Sequence, residues 1–274
     1  MPELPEIITI KQAMKNVLIG KTFESVEIFK STLVKNIEMT DFEKTIKDET
    51  ILKIDSKNAC LLIYLTNDKV LISTPKQHGV FSYFPIKTNT SKQTLVVFRF
   101  TDHSELHFSD SSQLASFHIS SIKTYDQKSP VLCKGSLVES INHEDLYLNL
   151  FKKNKTIKWA LKNNDYVIGI GDIYSDEILF KSKIHPFTSC KKLNKKDMCQ
   201  IITDAQEILK EAILKLGCDT KSLIDKDFVT GLYKKELKVY NRENLKCYIC
   251  SDKIKHITHH GESAFVCLTC QKEK

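Results

Sequence analysis

Two pairs of cysteines late in the chain have the spacing of a metal site. Cys247-Tyr248-Ile249-Cys250 and Cys267-Leu268-Thr269-Cys270 are C-x-x-C steps separated by sixteen residues. Each step offers two thiolates from one tight knuckle, and the spacer is long enough for a β-hairpin that folds the knuckles onto one tetrahedral ion. Four sulfurs fill the coordination sphere of Zn²⁺, so one structural zinc held in a ribbon is expected, and no catalytic metal. Disulfides are the competing reading. The remaining cysteines (Cys60, Cys133, Cys190, Cys199 and Cys218) are scattered and the total of nine is odd, which fits reduced thiols better. His256, His259 and His260 fall in the spacer and are expected on its surface or facing a nucleic acid, not as ligands.

The other end of the chain carries a different chemistry. Removal of Met1 would make Pro2 a secondary α-amine, and an α-amine of pKa near 8 keeps a neutral, nucleophilic fraction at neutral pH without burial. Attack on an aldehyde-like carbon yields an iminium ion, an electron sink that permits elimination. Glu3 beside it could move protons on the attacked molecule. Alone, Met-Pro-Glu is an ordinary solvated start.

Positioning these groups takes three kinds of element. Leu4 to Leu18 reads as a helix with Pro5 in its first turn. From Thr22 to about Ile122 short β-rich runs follow without intervening helices, among them 23–28, 61–65, 70–72 and 95–100, with 66–69 as a hairpin turn. That pattern predicts a sandwich or barrel. Near Asp126 to Pro130 the character turns helical. Asn142 to Phe151, Lys155 to Lys162 and Ile173 to Lys183 read as helices. The clearest helix is Asp197 to Leu216, whose apolar residues keep a three-four spacing before Gly217 stops it. The expected fold class is α+β multidomain. An N-terminal β-sandwich with the first helix spans 1–125, a helical domain 126–240, and a zinc-ribbon module 241–274.

Length and composition set wide limits. A chain of 274 residues with 41% hydrophobic residues can bury more than one core. A net charge of +7 suits a polyanionic partner, though such a balance is common. No apolar run approaches the roughly 20 residues that cross a bilayer. The cationic-apolar-small order of a secretory signal is also missing, so a cytoplasmic monomer without membrane contact is expected, nucleoid-associated in a bacterium.

Taken together, Met-Pro-Glu-Leu-Pro-Glu at 1–6, Ile168-Gly-Ile-Gly-Asp-Ile-Tyr-Ser-Asp-Glu177, Ile184-His185-Pro186 and the four-cysteine ribbon stand in one order. The chain thereby resembles the formamidopyrimidine-DNA glycosylase and endonuclease VIII family from Pro2 to Cys270. The resemblance implies a β-sandwich, a helix–two-turn–helix domain and a zinc finger, with damaged or abasic DNA bound in the cleft between. It also implies glycosidic-bond cleavage by the proline amine followed by strand cleavage through a Schiff base. Pro2 matches the family nucleophile, Glu3 its acid/base carboxylate and Lys57 the lysine placed beside the proline. Lys158 matches the helix before the DNA-binding turn, Asp172 and Tyr174 the turn itself, Arg242 the segment entering the zinc finger and Glu262 its hairpin. These five are the candidate DNA contacts.

The phosphate-gripping positions depart from the family. Asp172 stands where an asparagine is usual, and Glu262 where an arginine is usual. Replacing a donor and a cation by two carboxylates could weaken binding about a thousandfold. The run Ser111-Ser112-Gln113-Leu114 replaces an arginine-arginine-phenylalanine run that fills the gap of a flipped base. The companion wedge falls near Lys76-Gln77-His78-Gly79, which leaves Leu114, Gln113 or His78 to occupy the stack. The lysines at 152, 153, 155, 158, 162, 181, 183, 191 and 192 are expected to track the DNA backbone. Two readings stay open: a glycosylase/lyase with altered substrate choice, and a DNA-binding protein of this fold without the glycosylase step. A zinc-ribbon adaptor for RNA or protein would leave the N-terminal pattern unexplained.

Overall fold

The computed structural model describes residues 2–75, 79–127, 134–218 and 231–274. They form two compact units, one from 2–75 and 79–127, the other from 134–218 and 232–274.

The first unit opens with α1 (Leu4–Leu18). A reciprocal capping box starts it: the Glu6 carboxylate accepts the Glu3 N–H at 3.2 Å while the Glu3 carboxylate accepts the Glu6 N–H. Its face of Ile7, Ile10, Met14 and Leu18 packs into the core at the three-four spacing. Eight strands follow: β1 (Phe23–Ile28), β2 (Ile51–Lys57), β3 (Cys60–Leu65), β4 (Lys69–Thr74), β5 (Gly79–Phe84), β6 (Thr94–Phe100), β7 (Glu105–Asp110) and β8 (Ser116–Ser121). They make two antiparallel four-stranded sheets, ordered β1-β6-β7-β5 and β2-β3-β4-β8.

The apolar run of β3 is explained by burial on both faces. Leu61, Ile63 and Leu65 enter the sandwich core, whereas Cys60, Leu62 and Tyr64 pack beneath Ile122 and Tyr125. The turn expected at 66–69 is present, with Asn67 and Asp68 at φ +53° and +61°. One correction applies to the strand-rich half. A helix, α2 (Met39–Ile46), interrupts it and buries Phe42 and Ile46. Three apolar residues over eight positions, Met39, Phe42 and Ile46, are too short a pattern to read as a helix from sequence.

Helix α1 runs antiparallel to β2. The Gly20 N–H donates to Ile51 O at 2.9 Å, and Lys11 Nζ lies 3.4 Å from Asp55 Oδ1. The start of α1 and the last residue of β2, Lys57, therefore lie at the same end of the unit. Asp55 secures this arrangement. Partial burial pushes its carboxyl up, but hydrogen bonds from Lys53 and the Ser56 N–H and the charge of Lys11 prevail and hold it at about 2. A depressed folded-state pKa stabilises at pH above about 4, and the contribution fades as pH falls toward the folded value. In urea titrations, the stability gap between wild type and Asp55→Asn should therefore be full at pH 5 and shrink steadily toward pH 2. A gap independent of pH would contradict the pairing.

The second unit begins with a two-residue strand, β9 (Ser136–Leu137), which pairs in parallel with β10 (Val167–Ile168). Four helices follow the expected order: α3 (His143–Leu150), α4 (Ile157–Lys162), α5 (Asp172–Lys181) and α6 (Lys195–Leu214). Asn142, Thr156 and Asn194 cap α3, α4 and α6. Gly169, at φ +89°, makes the turn into α5 that a side chain would strain. The cysteine module closes the unit as a hairpin of β11 (Lys255–His259) and β12 (Glu262–Val266).

Candidate functional site

In the first unit, Pro2 is half-buried and leads directly into the α1 cap. Glu3 is 4% exposed, so its carboxylate beside the proline is shielded from bulk water. Lys57 projects from the end of β2 before the left-handed Asn58, with Nζ 3.6 Å from Asp126 and 5.9 Å from the Tyr125 ring centroid. The antiparallel packing of α1 on β2 thus puts the start of α1 and the end of β2 at the same end of the unit.

A loop in the same unit has a purpose that spacing did not reveal. Asp110, 1% exposed, accepts hydrogen bonds from Ser112 N (2.9 Å), Ser112 Oγ (2.6 Å), Leu114 N (3.0 Å) and Ala115 N (2.9 Å). The carboxylate ties residues 111–115 into a rigid bend, with Gln113 at φ +54°. The Gln113 side chain is taken by Lys30, whereas Leu114 stands 69% exposed at the bend. Of the other wedge candidates, His78 lies outside the described residues, as do Lys76 and Gln77.

In the second unit, α5 is buried over seven consecutive residues, Tyr174 to Phe180. Two residues expected at DNA, Tyr174 and Lys158, lie inside the unit. Tyr174 is fully buried, its ring 5.9 Å from that of Tyr233. Lys158 is 1% exposed, with Nζ 2.5 Å from Asp176 Oδ1. Burial pushes the Asp176 carboxyl up, opposed by Lys158 and by the Phe265 N–H, which donates at 2.8 Å. Glu177, also buried, accepts the N–H groups of Lys238, Val239 and Tyr240 at 2.8–2.9 Å. Asp176 and Glu177 therefore hold β12 and the chain entering the ribbon. Removing one member of a buried pair strands the other charge at a cost of about 3–5 kcal/mol. Lys158→Met should lose about that much in denaturant unfolding, and a change below about 1 kcal/mol would contradict a buried ion pair.

Asp172 and Glu262 come together around Lys162, one of the lysines expected to track a DNA backbone. Lys162 Nζ, at the last turn of α4, lies 2.5 Å from Asp172 Oδ1 and 3.7 Å from Glu262 Oε1. Thr156 Oγ1 donates to Glu262 Oε2 at 3.0 Å. Burial lowers the Lys162 pKa, but the hydrogen bond it donates to Asp172 and the charges of Asp172, Glu262 and Asp176 outweigh it and raise it above the usual lysine value. One ammonium between two carboxylates leaves the cluster net negative. Arg242 is committed to the ribbon's first turn, donating to Lys246 O at 3.3 Å and lying over the Tyr248 ring. The lysines at 152, 153, 155, 181, 183, 191 and 192 are exposed, and Lys181 pairs with Glu207.

The Sγ atoms of Cys247, Cys250, Cys267 and Cys270 all lie within 4.8 Å of one another. Cys247 and Cys270 are 3.9 Å apart and Cys250 and Cys267 3.4 Å, separations that suit ligands of one ion and exceed a disulfide bond. None of the eight described cysteines is in a disulfide. His256, His259 and His260 are exposed on the hairpin. No helix among the described residues is long and apolar enough to cross a membrane.

Two family models match the chain: the formamidopyrimidine-DNA glycosylase N-terminal domain over residues 1–117 and the formamidopyrimidine-DNA glycosylase H2TH domain over 132–232. A formamidopyrimidine-DNA glycosylase of Mycoplasmopsis pulmonis (strain UAB CTIP) is 34% identical over 275 residues, covering 100% of this chain and 99% of that protein. One from Oceanobacillus iheyensis is 31% identical, again over 100% and 99%. Among solved structures, Lactococcus lactis Fpg (MutM) in complex with DNA containing N7-benzyl-Fapy-dG superposes with a TM-score of 0.90 at 25% identity, covering 99% of this chain and 100% of that one. The same protein with abasic-site DNA gives 0.89 at the same identity and coverage.

Proposed function

The chain belongs to the formamidopyrimidine-DNA glycosylase family, and from that premise we propose that it is a base-excision DNA glycosylase with lyase activity carried by Pro2. The observation that carries this reading is α1 lying antiparallel on β2, which puts the N-terminal Pro2 and Glu3 toward the end of the first unit where β2 finishes at Lys57. The proline nitrogen bonds to C1′ of the damaged nucleotide as the glycosidic bond breaks and the base departs. Opening of the sugar gives the iminium ion. Loss of a C2′ proton then expels the 3′-phosphate, and hydrolysis returns the amine. Glu3 is the group placed to move these protons, and its shielding keeps water from competing for it. Lys57 contacts phosphate near the reacting sugar. Borohydride trapping on abasic DNA tests the reading.

The four thiolates hold one structural zinc, which fixes the knuckles and takes no part in the reaction. Damaged or abasic DNA is the partner, and the relatives solved with such DNA support that. Substrate choice differs from the family norm because the Asp172–Lys162–Glu262 cluster is net negative where a phosphate would be gripped. That same cluster is the one observation favouring the second reading, a DNA-binding protein without the glycosylase step.

Leu114 fills the stack when the base is flipped. An aliphatic wedge needs only an exposed apolar side chain on a stiff support, which the Asp110-tied bend supplies. Truncation by three carbons removes roughly 1–2 kcal/mol of apolar contact. Leu114→Ala should therefore slow excision from duplex DNA about tenfold while leaving trapping on single-stranded abasic DNA unchanged. Equal loss on both substrates would argue against the wedge.

A further inference from the structure

We propose that the knuckle end of the ribbon is a docking surface for an extended acidic protein segment bearing aromatic or branched aliphatic side chains. The x-x positions of the two knuckles are apolar at three of four places. Tyr248 is 63% exposed, Ile249 60% and Leu268 51%, and Leu245 just before the first knuckle is 51% exposed. The four sulfurs lie within 4.8 Å of one another, so both knuckle tips surround one point. Thr269 also hydrogen-bonds to Asp252, linking the second knuckle to the turn after the first. A cluster of large apolar side chains left in water is unfavourable unless a partner covers it.

Charge indicates which partner. Lys238 Nζ lies 5.3 Å and the Arg242 guanidinium 4.1 Å from the Tyr248 ring centroid, so the aromatic floor carries two cations. Residues 234–255 hold seven Lys and Arg against three Asp and Glu. The excess stays positive after the roughly two negative charges of a zinc tetrathiolate are counted. An apolar floor with a cationic rim complements a segment that alternates carboxylates with apolar anchors.

Position separates this surface from the phosphate cluster. Lys255 pairs with Val266 at the knuckle end of the hairpin, whereas His259 pairs with Glu262 at the turn end. Five residues of strand put roughly 15 Å between the two ends. Glu262 and its Lys162 partner mark the turn end, and the apolar tips occupy the other. The proposal does not depend on the reaction assigned to Pro2.

Panning a random peptide library against the zinc-loaded full-length chain tests it. Enriched peptides should combine Asp and Glu with Phe, Trp, Leu or Ile. They should bind at least about tenfold more weakly to Tyr248→Ser/Leu268→Ser and to Lys238→Glu. Zinc content is measured on each variant. Should the knuckle substitutions release metal, Leu245→Ser/Lys238→Glu, outside the knuckles, takes their place. Enrichment of uncharged or basic peptides, or equal binding to the variants, overturns the proposal. Displacement of the peptides by abasic duplex would make the surface a nucleic-acid contact and overturn it too. A dimer in sedimentation that Tyr248→Ser abolishes would make the occupant a second copy, with the same consequence.

Discussion

Sodium borohydride added to the protein with abasic DNA should yield a covalent adduct that peptide mapping places on Pro2. Reduction converts the iminium ion to a stable amine, so the adduct reports the nitrogen that attacked. A preparation that retains Met1 has no free proline amine and should give no adduct. Glu3→Gln should separate the steps. General acid–base catalysis contributes about 10²–10⁴-fold, so base excision should fall by that range while trapping on a pre-formed abasic site survives, since the aldehyde there needs no base to leave. Glu3 is nearly buried and caps α1 through its side chain, and glutamine keeps that hydrogen bond, so the variant should fold. Absence of any adduct across abasic and oxidised substrates would sink the lyase reading and leave the DNA-binding alternative.

Reversing the phosphate cluster should strengthen DNA binding. Asp172→Asn/Glu262→Arg restores a neutral donor and a cation and releases Lys162 from both carboxylates. A hydrogen bond to a charged group is worth roughly 1.5–3 kcal/mol, so two of them should tighten an abasic-analogue duplex about a hundredfold or more. The slope of log affinity against log salt should steepen by about one per cation gained. Anisotropy titrations at several salt concentrations read both quantities. Unchanged affinity and slope would mean that DNA does not pass this cluster, and the proposal of an altered substrate choice would lose its support. Lys162→Met separates two roles of the lysine. If Lys162 only neutralises the acids, its loss weakens binding through their exposed charge, and adding Asp172→Asn should recover much of it.

Much of the site was legible because its chemistry is written in residue type and short spacing. The C-x-x-C pairs marked the four thiols that cluster, since any fold that closes the hairpin must bring them together. Helix α6 was legible from its three-four apolar spacing, which depends only on the helical repeat. Helix α2 was not, because eight residues with three apolar positions carry too little period. Lys158 and Tyr174 matched a motif in register yet lie inside the protein. A motif match states where a residue sits along a helix, and only packing shows that α5 is buried from Tyr174 to Phe180.

The amino-acid sequence by itself determined the order Met1-Pro2-Glu3 at the N-terminus, the four cysteines that cluster and the succession of sandwich, helices and ribbon. Each follows from covalent order or from local periodicity. Only the tertiary structure decided which charges meet. Asp172 and Glu262, ninety residues apart, are shared by one lysine from a third element. Asp176 is matched by Lys158 in the interior, and Asp110 is spent on shaping the loop that presents Leu114. Burial and Coulomb pairing act through space, and the distances they depend on exist only once the elements have packed.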